Sequence, residues 1–386
     1  MAQEVLQLRA IEAVSPTLAE TLRLCKLRAG LSRAENISQY VLGNPKAWLG
    51  IAYHEALEAV GFHQRNDLKT RVREAWDSAI QHQHDRSRAH PFDKRFGPPE
   101  FWPGYHLIAE MALVRAKELV GAAASQNDGT SSGHARGETL REKKFSAAGG
   151  KIVGRPDVVR PEEVVDFKTG EVFEDNDHEE VKNSHVRQLR LYAFLVWESL
   201  GWWPRRGILL PMTGSAVEVY LEPEECEGEA KSSVRLLDEY NDAIARAVTP
   251  DELASPSPTS CRWCQYPLYC QAFWRLVEST WADDLRSGAI EGRATGAARP
   301  IHGGSALSLS LRVERGTVPA GTCVSLFPLD PSVHPDVARV KAGDGVRVTG
   351  LWQRADDSVV ATNWTMIALE RSLPALSVLE NRKSRA

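Results

Sequence analysis

No run of about 18 uncharged apolar residues occurs in the sequence, which excludes a membrane-spanning helix. The first residues carry Glu4, Arg9 and Glu12 where a secretory signal needs an apolar stretch, so the chain is expected in the cytoplasm, away from membranes. Cysteine is scarce, six in 386 residues, and in a reducing compartment these six are unsuited to a disulfide framework. Those that cluster are therefore read first as metal ligands. No Gly-x-x-x-x-Gly-Lys-Ser/Thr pattern occurs, so any helicase working with this protein would be a separate chain. No repeat of 20 to 50 residues is present, and the net charge of −4 carries no overall signature of a polyanion binder.

What is there is an ordinary soluble composition, 42% hydrophobic and 25% charged, in a chain long enough for two or three domains. Apolar residues recur at helical spacing over 17–31, 46–62, 66–82 and 103–120, so the N-terminal third is predicted to be helical. Within it, residues 65–95 hold eight Lys and Arg (Arg65, Lys69, Arg71, Arg73, Arg86, Arg88, Lys94, Arg95) against five acids. That stretch is either a polyanion-facing surface or an ordinary solvated helix face. The polar segment Ser125 to Gly133 reads as a loop, 138–169 as short strands, 186–201 as a helix, 206–221 as two strands and 229–248 as a long helix. Residues 286–304, rich in Gly, Ala and Arg, have the composition of a linker. This divides the chain into 1–285, a linker over 286–304, and a strand-rich unit over 305–386. In that last unit Lys341 to Gly350 resembles a phrase of small OB-type barrels, where Trp352 and Trp364 would either stack bases or fill a core.

Two Val-rich runs flank a turn at Arg160 to Glu163. Pairing Val159 with Val164 sets Asp157 opposite Asp166 on one face, with β-carbons about 4.5–5.5 Å apart. Lys168 shares that face, while Val158, Val165, Phe167 and Ile152 would line the other. Two adjacent carboxylates repel unless they share a proton or a cation, and hard oxygen donors suit magnesium or manganese. The alternative is an exposed hairpin whose acids pair with Lys168 and Arg155.

These residues belong to a longer series. Leu49, Gly50 and His54 give Gly-x-x-x-His, Gly154 to Asp157 and Val165 to Gly170 follow, and Gln188 with Tyr192 gives Gln-x-x-x-Tyr. In this order the chain resembles the PD-(D/E)xK nuclease superfamily, and within it the RecB-like exonucleases that include the CRISPR-associated exonuclease family and the AddB nuclease domain. The resemblance covers about residues 15–280. It implies a restriction-endonuclease-like α/β core, a mixed central sheet flanked by helices, with a helical N-terminal region; an OB-like all-β barrel would follow. It further implies His54, Asp157, Asp166 and the Phe167 carbonyl as metal ligands. Lys168 would orient or deprotonate the attacking water, and Gln188 and Tyr192 would position a phosphate or Lys168. Glu142 would sit nearby.

Cys261, Cys264 and Cys270, with the distant Cys25, fit the same family's iron-sulfur pattern, although no proline follows Cys25 here. Four thiolates suit a four-iron four-sulfur cluster or zinc, and unrelated buried cysteines are the third reading. Cys226, read as lying in an acidic loop, and Cys323, in a predicted strand of the last unit, fit no ligand spacing. The expected activity is hydrolysis of phosphodiester bonds in DNA, as an exonuclease on single-stranded ends in repair, recombination or antiviral defence. The alternatives are a DNA-holding scaffold that does not cut, or a subunit active only with a helicase or other partner.

Overall fold

Seven longer helices and a five-stranded sheet account for the first two-thirds of the computed structural model, which describes residues 5–59, 67–127, 139–174, 177–354 and 359–378. α1 (Pro16–Leu24) starts at Ser15, whose Oγ accepts the Leu18 N–H, with proline in the first turn where no amide donor is needed. α2 (Lys26–Leu31) follows after a break. The spacing predicts one helix over 17–31, but Cys25 is extended at φ −165°, ψ 119°. The break redirects α2 so that Arg28 donates to the carbonyls of Ser260 and Trp263, 232 and 235 residues further on.

α3 (Pro45–Glu58), α4 (Leu68–Ala89) and α5 (Tyr105–Asn127) form one layer, closed around Leu49, Tyr53, Trp76 and Ile108. α5 runs to Asn127, into the segment read as a loop, and residues 128–133 of that loop lie outside the described residues, as does Arg65. α6 (Asn183–Leu200) and α7 (Pro223–Arg246) form the layer on the opposite side. Between the layers lies a sheet ordered 217–220, 206–211, 163–168, 158–160, 140–141. The strands Glu163–Lys168 and Arg206–Pro211 run parallel, joined through α6, and the other pairs are antiparallel. The sheet is therefore mixed, with helices on both faces.

The hairpin has the register expected from its turn, Val159 opposite Val164 and Val158 opposite Val165. Alternation sends Val158, Val165 and Phe167 into the α3–α5 layer and Val159 and Val164 toward α6. Ile152 does not follow that parity. It pairs with Ala147 in a separate hairpin and packs on the α6 side, because the chain leaves the ladder around Pro156 and the period of two does not carry across the break. Cys226, expected in an acidic loop, is buried in the first turn of α7.

The C-terminal part corrects two expectations. Residues 286–304 are not free chain: Gly288–Ala294 is the central strand of a seven-stranded antiparallel sheet, between Ala306–Gly316 and Gly345–Gln353, and Arg299–Ile301 forms its edge. Two of the glycines that suggested a linker, Gly288 and Gly292, lie in this strand. The register shifts between Glu291 and Gly292, where a β-carbon would lie 2.4 Å from the Arg312 carbonyl oxygen. The sheet also does not close into a barrel; Cys323–Leu329 and Met366–Leu369 add as branches, and no ladder among the described residues joins its two ends.

This sheet is fastened to the rest. Buried Arg347 pairs with Glu291 at 2.9 Å and donates to the Leu268 carbonyl between the clustered cysteines. Arg95, from the basic stretch, donates to the carbonyls of Thr365 and Val333, while Arg71 bonds the Ala59 carbonyl and Arg73 pairs with Glu110. Part of that stretch is thus committed to structure. The strand Val5–Leu8 pairs in parallel with Ala375–Val378, bringing the first and last described strands together. Among the described residues no helix is long and apolar enough to cross a membrane.

Candidate active site

The hairpin, α3 and α6 deliver their polar side chains to one place. The side of the sheet that faces α6 carries Asp166 and Lys168. Asp157 lies just before the strand Val158–Arg160, and its Oδ2 accepts the Phe167 N–H across the hairpin. That bond fixes one oxygen and leaves Oδ1 3.2 Å from His54 Nδ1, one helical turn beyond Gly50 on α3. Close packing brings α6 in: a β-carbon on Gly154 would lie 2.5 Å from Leu195 Cδ1, so the backbone there admits only glycine without displacement.

Gln188 and Tyr192, one turn apart on α6, complete a continuous network. Lys168 Nζ lies 2.5 Å from Asp166 Oδ2 and donates to Gln188 Oε1 at 2.7 Å. The Gln188 amide nitrogen donates to Asp166 Oδ1 and to the Tyr192 hydroxyl, each at 3.0 Å. Gln188 therefore holds acid, base and phenol in a fixed relation. Asp166 Oδ2 is buried and accepts no well-directed hydrogen bond; only the ammonium charge compensates it.

Glu142 was only a neighbour in the sequence reading, yet it enters the cluster directly. One donor atom each from His54, Glu142 and Asp157 lie within 4.8 Å of one another, the sole such group of three or more His, Cys, Asp or Glu among the described residues. A divalent cation bonds oxygen and nitrogen at about 2.0–2.6 Å, so this spacing fits one ion. Asp166 stands outside that group. Glu142 sits at φ 46°, a left-handed conformation rare for a side chain of this size, and Arg155 pairs with its carboxylate at 2.5 Å. The only signal for it in the sequence is the family resemblance, which implies an acid at the start of this strand; in the structure Glu142 instead directly follows Leu140–Arg141.

The electrostatics follow from crowding anions in a buried place. Burial, then the nearby Asp157 charge and hydrogen bond, push the Glu142 carboxyl up to about 7. Burial also raises Asp166, against the pull of Lys168, with Asp157 adding to the rise. Burial alone would lower His54, but the Asp157 hydrogen bond and the charges of Asp157, Asp166 and Glu142 outweigh it and raise the imidazole. Two acids and an imidazole all raised are what crowded negative charge produces, and a divalent ion bound there would offset it.

The sequence model of the PD-(D/E)XK nuclease superfamily matches residues 13–271, which takes in α1 through the last clustered cysteine. This chain belongs to the PD-(D/E)XK nuclease superfamily. Its members hydrolyse phosphodiester bonds, usually with magnesium or manganese. No curated protein matches the chain. In this chain the mixed sheet between helical layers and the His54–Glu142–Asp157 group accord with the superfamily's fold and its use of metal.

A second cluster shares no residue with this site. Cys25, Cys261, Cys264 and Cys270 line one cavity, closed by Leu31 and Phe273. Two sulfurs accept backbone N–H groups, Cys264 from Tyr266 at 3.5 Å and Cys270 from Phe273 at 3.3 Å. Among the described residues no three of these sulfurs lie within 4.8 Å of one another. Burial pushes the Cys264 and Cys270 thiols up to about 12. Cys226 is buried in α7 and Cys323 exposed on the C-terminal sheet, and neither lines that cavity.

Proposed function

We propose that this protein is a metal-dependent deoxyribonuclease acting as an exonuclease on single-stranded ends, with His54, Glu142 and Asp157 as the inner metal ligands. The observation that carries the reading is the continuous network from Asp166 through Lys168 and Gln188 to Tyr192, beside a group of three donors spaced for one ion. A pure DNA holder has no use for buried acids set against a lysine. Asp166 and the Phe167 carbonyl complete the proposed ligand set when substrate and ion are bound. Magnesium or manganese bound there would polarise the phosphoryl oxygen and lower the pKa of its water.

The chain's own residues have separable tasks. Lys168, its ammonium steered by Asp166 and Gln188, orients the attacking water by donating to it and steadies the charge that develops on the phosphate. Gln188 keeps the lysine at a single position, and Tyr192 anchors the amide. Asp157, tied to the Phe167 N–H, holds one fixed oxygen toward the ion.

We also infer that the cysteine cavity holds a four-iron four-sulfur cluster that clasps α1 and α2 to the end of the core. Zinc with bonds of about 2.3 Å would draw four sulfurs to within roughly 4 Å of one another. That no three of these sulfurs lie within 4.8 Å of one another among the described residues suits the wider thiolate set of the larger cluster better.

Single-stranded DNA labelled at either end, incubated with manganese and then with chelator, tests the nuclease reading on anaerobically purified protein. Metal-dependent cutting that Lys168→Ala abolishes is expected, and the label released first gives the polarity. No cutting by protein with its full iron content would transfer the assignment to a DNA-holding or partner-dependent subunit.

A further inference from the structure

A groove runs between the cysteine loop and the C-terminal sheet, and its lining combines flat aromatic faces with arginine. Trp263, from the cysteine loop, is 54% exposed and Trp352, from the strand Gly345–Gln353, is 66% exposed. Exposed tryptophans are costly to leave in water without a use, and here two open onto one groove with a third, Trp364. Arg286 bridges Trp263 and Trp364: its guanidinium lies over the first ring at 4.9 Å and over the second at 5.6 Å. Trp364 is braced from behind by Phe96, ring centroids 5.0 Å apart. None of the lining residues is acidic, although the chain as a whole carries more acids than bases.

The groove also leads somewhere. Its lining includes Asn44, the N-cap of α3, and His54 lies ten residues along that helix, about 15 Å away at 1.5 Å per residue. We infer that this groove is a binding track for a single strand of DNA, with bases stacking on Trp352 and Trp263 and phosphates meeting Arg286; the inference rests on the nuclease reading above. The chemistry fits a strand better than a duplex or a peptide. Stacking platforms need bases whose faces are free, which a duplex hides, and an arginine held over aromatic rings presents its remaining N–H groups to phosphate.

The test is fluorescence anisotropy of a labelled strand of about 20 nucleotides in excess chelator, with the duplex of the same length as comparator. Wild type should bind the single strand more tightly than the duplex. Trp352→Ala should weaken single-strand binding roughly 5- to 150-fold, and Trp352→Phe should restore most of it. Arg286→Ala should weaken binding and reduce the slope of log affinity against log salt by about 0.7. Both Trp352 variants should melt like wild type, since that side chain is mostly in solvent. Unchanged affinity in the two alanine variants, or no preference for single strands, would overturn the inference and leave the groove to a protein partner. Because chelator prevents cutting, a chain that binds through these residues yet never cuts keeps the track and sinks the nuclease reading. A chain that cuts while the variants bind normally does the reverse.

Discussion

Lys168 and Asp166, alternate residues of one strand, form an ion pair at 2.5 Å, and Gln188 bonds both ends of it. The lysine is thereby held at one position in a buried, anionic setting rather than sweeping solvent. Its contribution is expected to appear in turnover much more than in folding.

Lys168→Ala should accordingly lower kcat by at least about 100-fold, the usual range for losing one preorganised donor aimed at developing charge. Stability should fall by only about 1–3 kcal/mol, because Asp166, already raised by burial, can take up a proton in place of its lost partner. Turnover within a few-fold of wild type, measured under single-turnover conditions, would remove Lys168 from the mechanism.

Glu142→Gln should weaken manganese binding by about tenfold or more, since one anionic donor of the three is lost. The wild-type carboxyl stands near 7 in the absence of metal, so affinity should rise with pH up to about 7 and level off above it as the competing proton is lost. Manganese titration calorimetry at several pH values reads both effects. A variant with wild-type affinity and the same pH dependence would place Glu142 outside the ligand set.

Cys25→Ala and Cys264→Ala should have the same consequence, although the two residues lie 239 positions apart, because both line one cavity. Each should reduce soluble yield, iron and acid-labile sulfide per chain, and visible colour. Colourless, stable wild-type protein containing zinc would establish the alternative metal. Normal iron in Cys25→Ala alone would remove the N-terminal ligand.

His334 is buried beside Arg95 and Asp330, and burial followed by the Arg95 charge lowers its imidazole to about 4. The unfolded chain, with an ordinary value near 6.5, therefore binds more protons between these limits. Stability from this residue is complete above about pH 6.5 and is lost as pH falls toward 4, on the order of 3 kcal/mol at the limit. Urea unfolding at pH 7 and pH 5 should show a smaller pH-dependent loss in His334→Gln than in wild type. Equal losses would mean that His334 titrates normally in the fold.

The hairpin was legible because its information is local. A turn at Arg160 to Glu163 and strict alternation fix which side chains share a face, so the positions of Asp157, Asp166 and Lys168 follow from neighbours in the chain. The Gln188 and Tyr192 pair was legible for the same reason, one turn apart on a helix. Local rules failed where a long-range contact overrode them. Periodicity runs through Cys25, but the contact of Arg28 with the cysteine loop accompanies a helix break there. Glycine signalled a linker at Gly288 to Gly292, whereas tight backbone packing in a central strand required it.

By itself, then, the sequence determined the mixed α/β class, the hairpin register and the residues that share its polar face, since each depends on steric and hydrophobic preferences over a few positions. Only the tertiary structure decided that Glu142 joins His54 and Asp157, that four cysteines line one cavity, that Val5–Leu8 meets Ala375–Val378, and that three tryptophans flank one groove. Such meetings close loops of up to several hundred residues. The entropic cost of closure changes little with length, so the partner is selected by the complementarity of packed surfaces, which no local window of sequence contains.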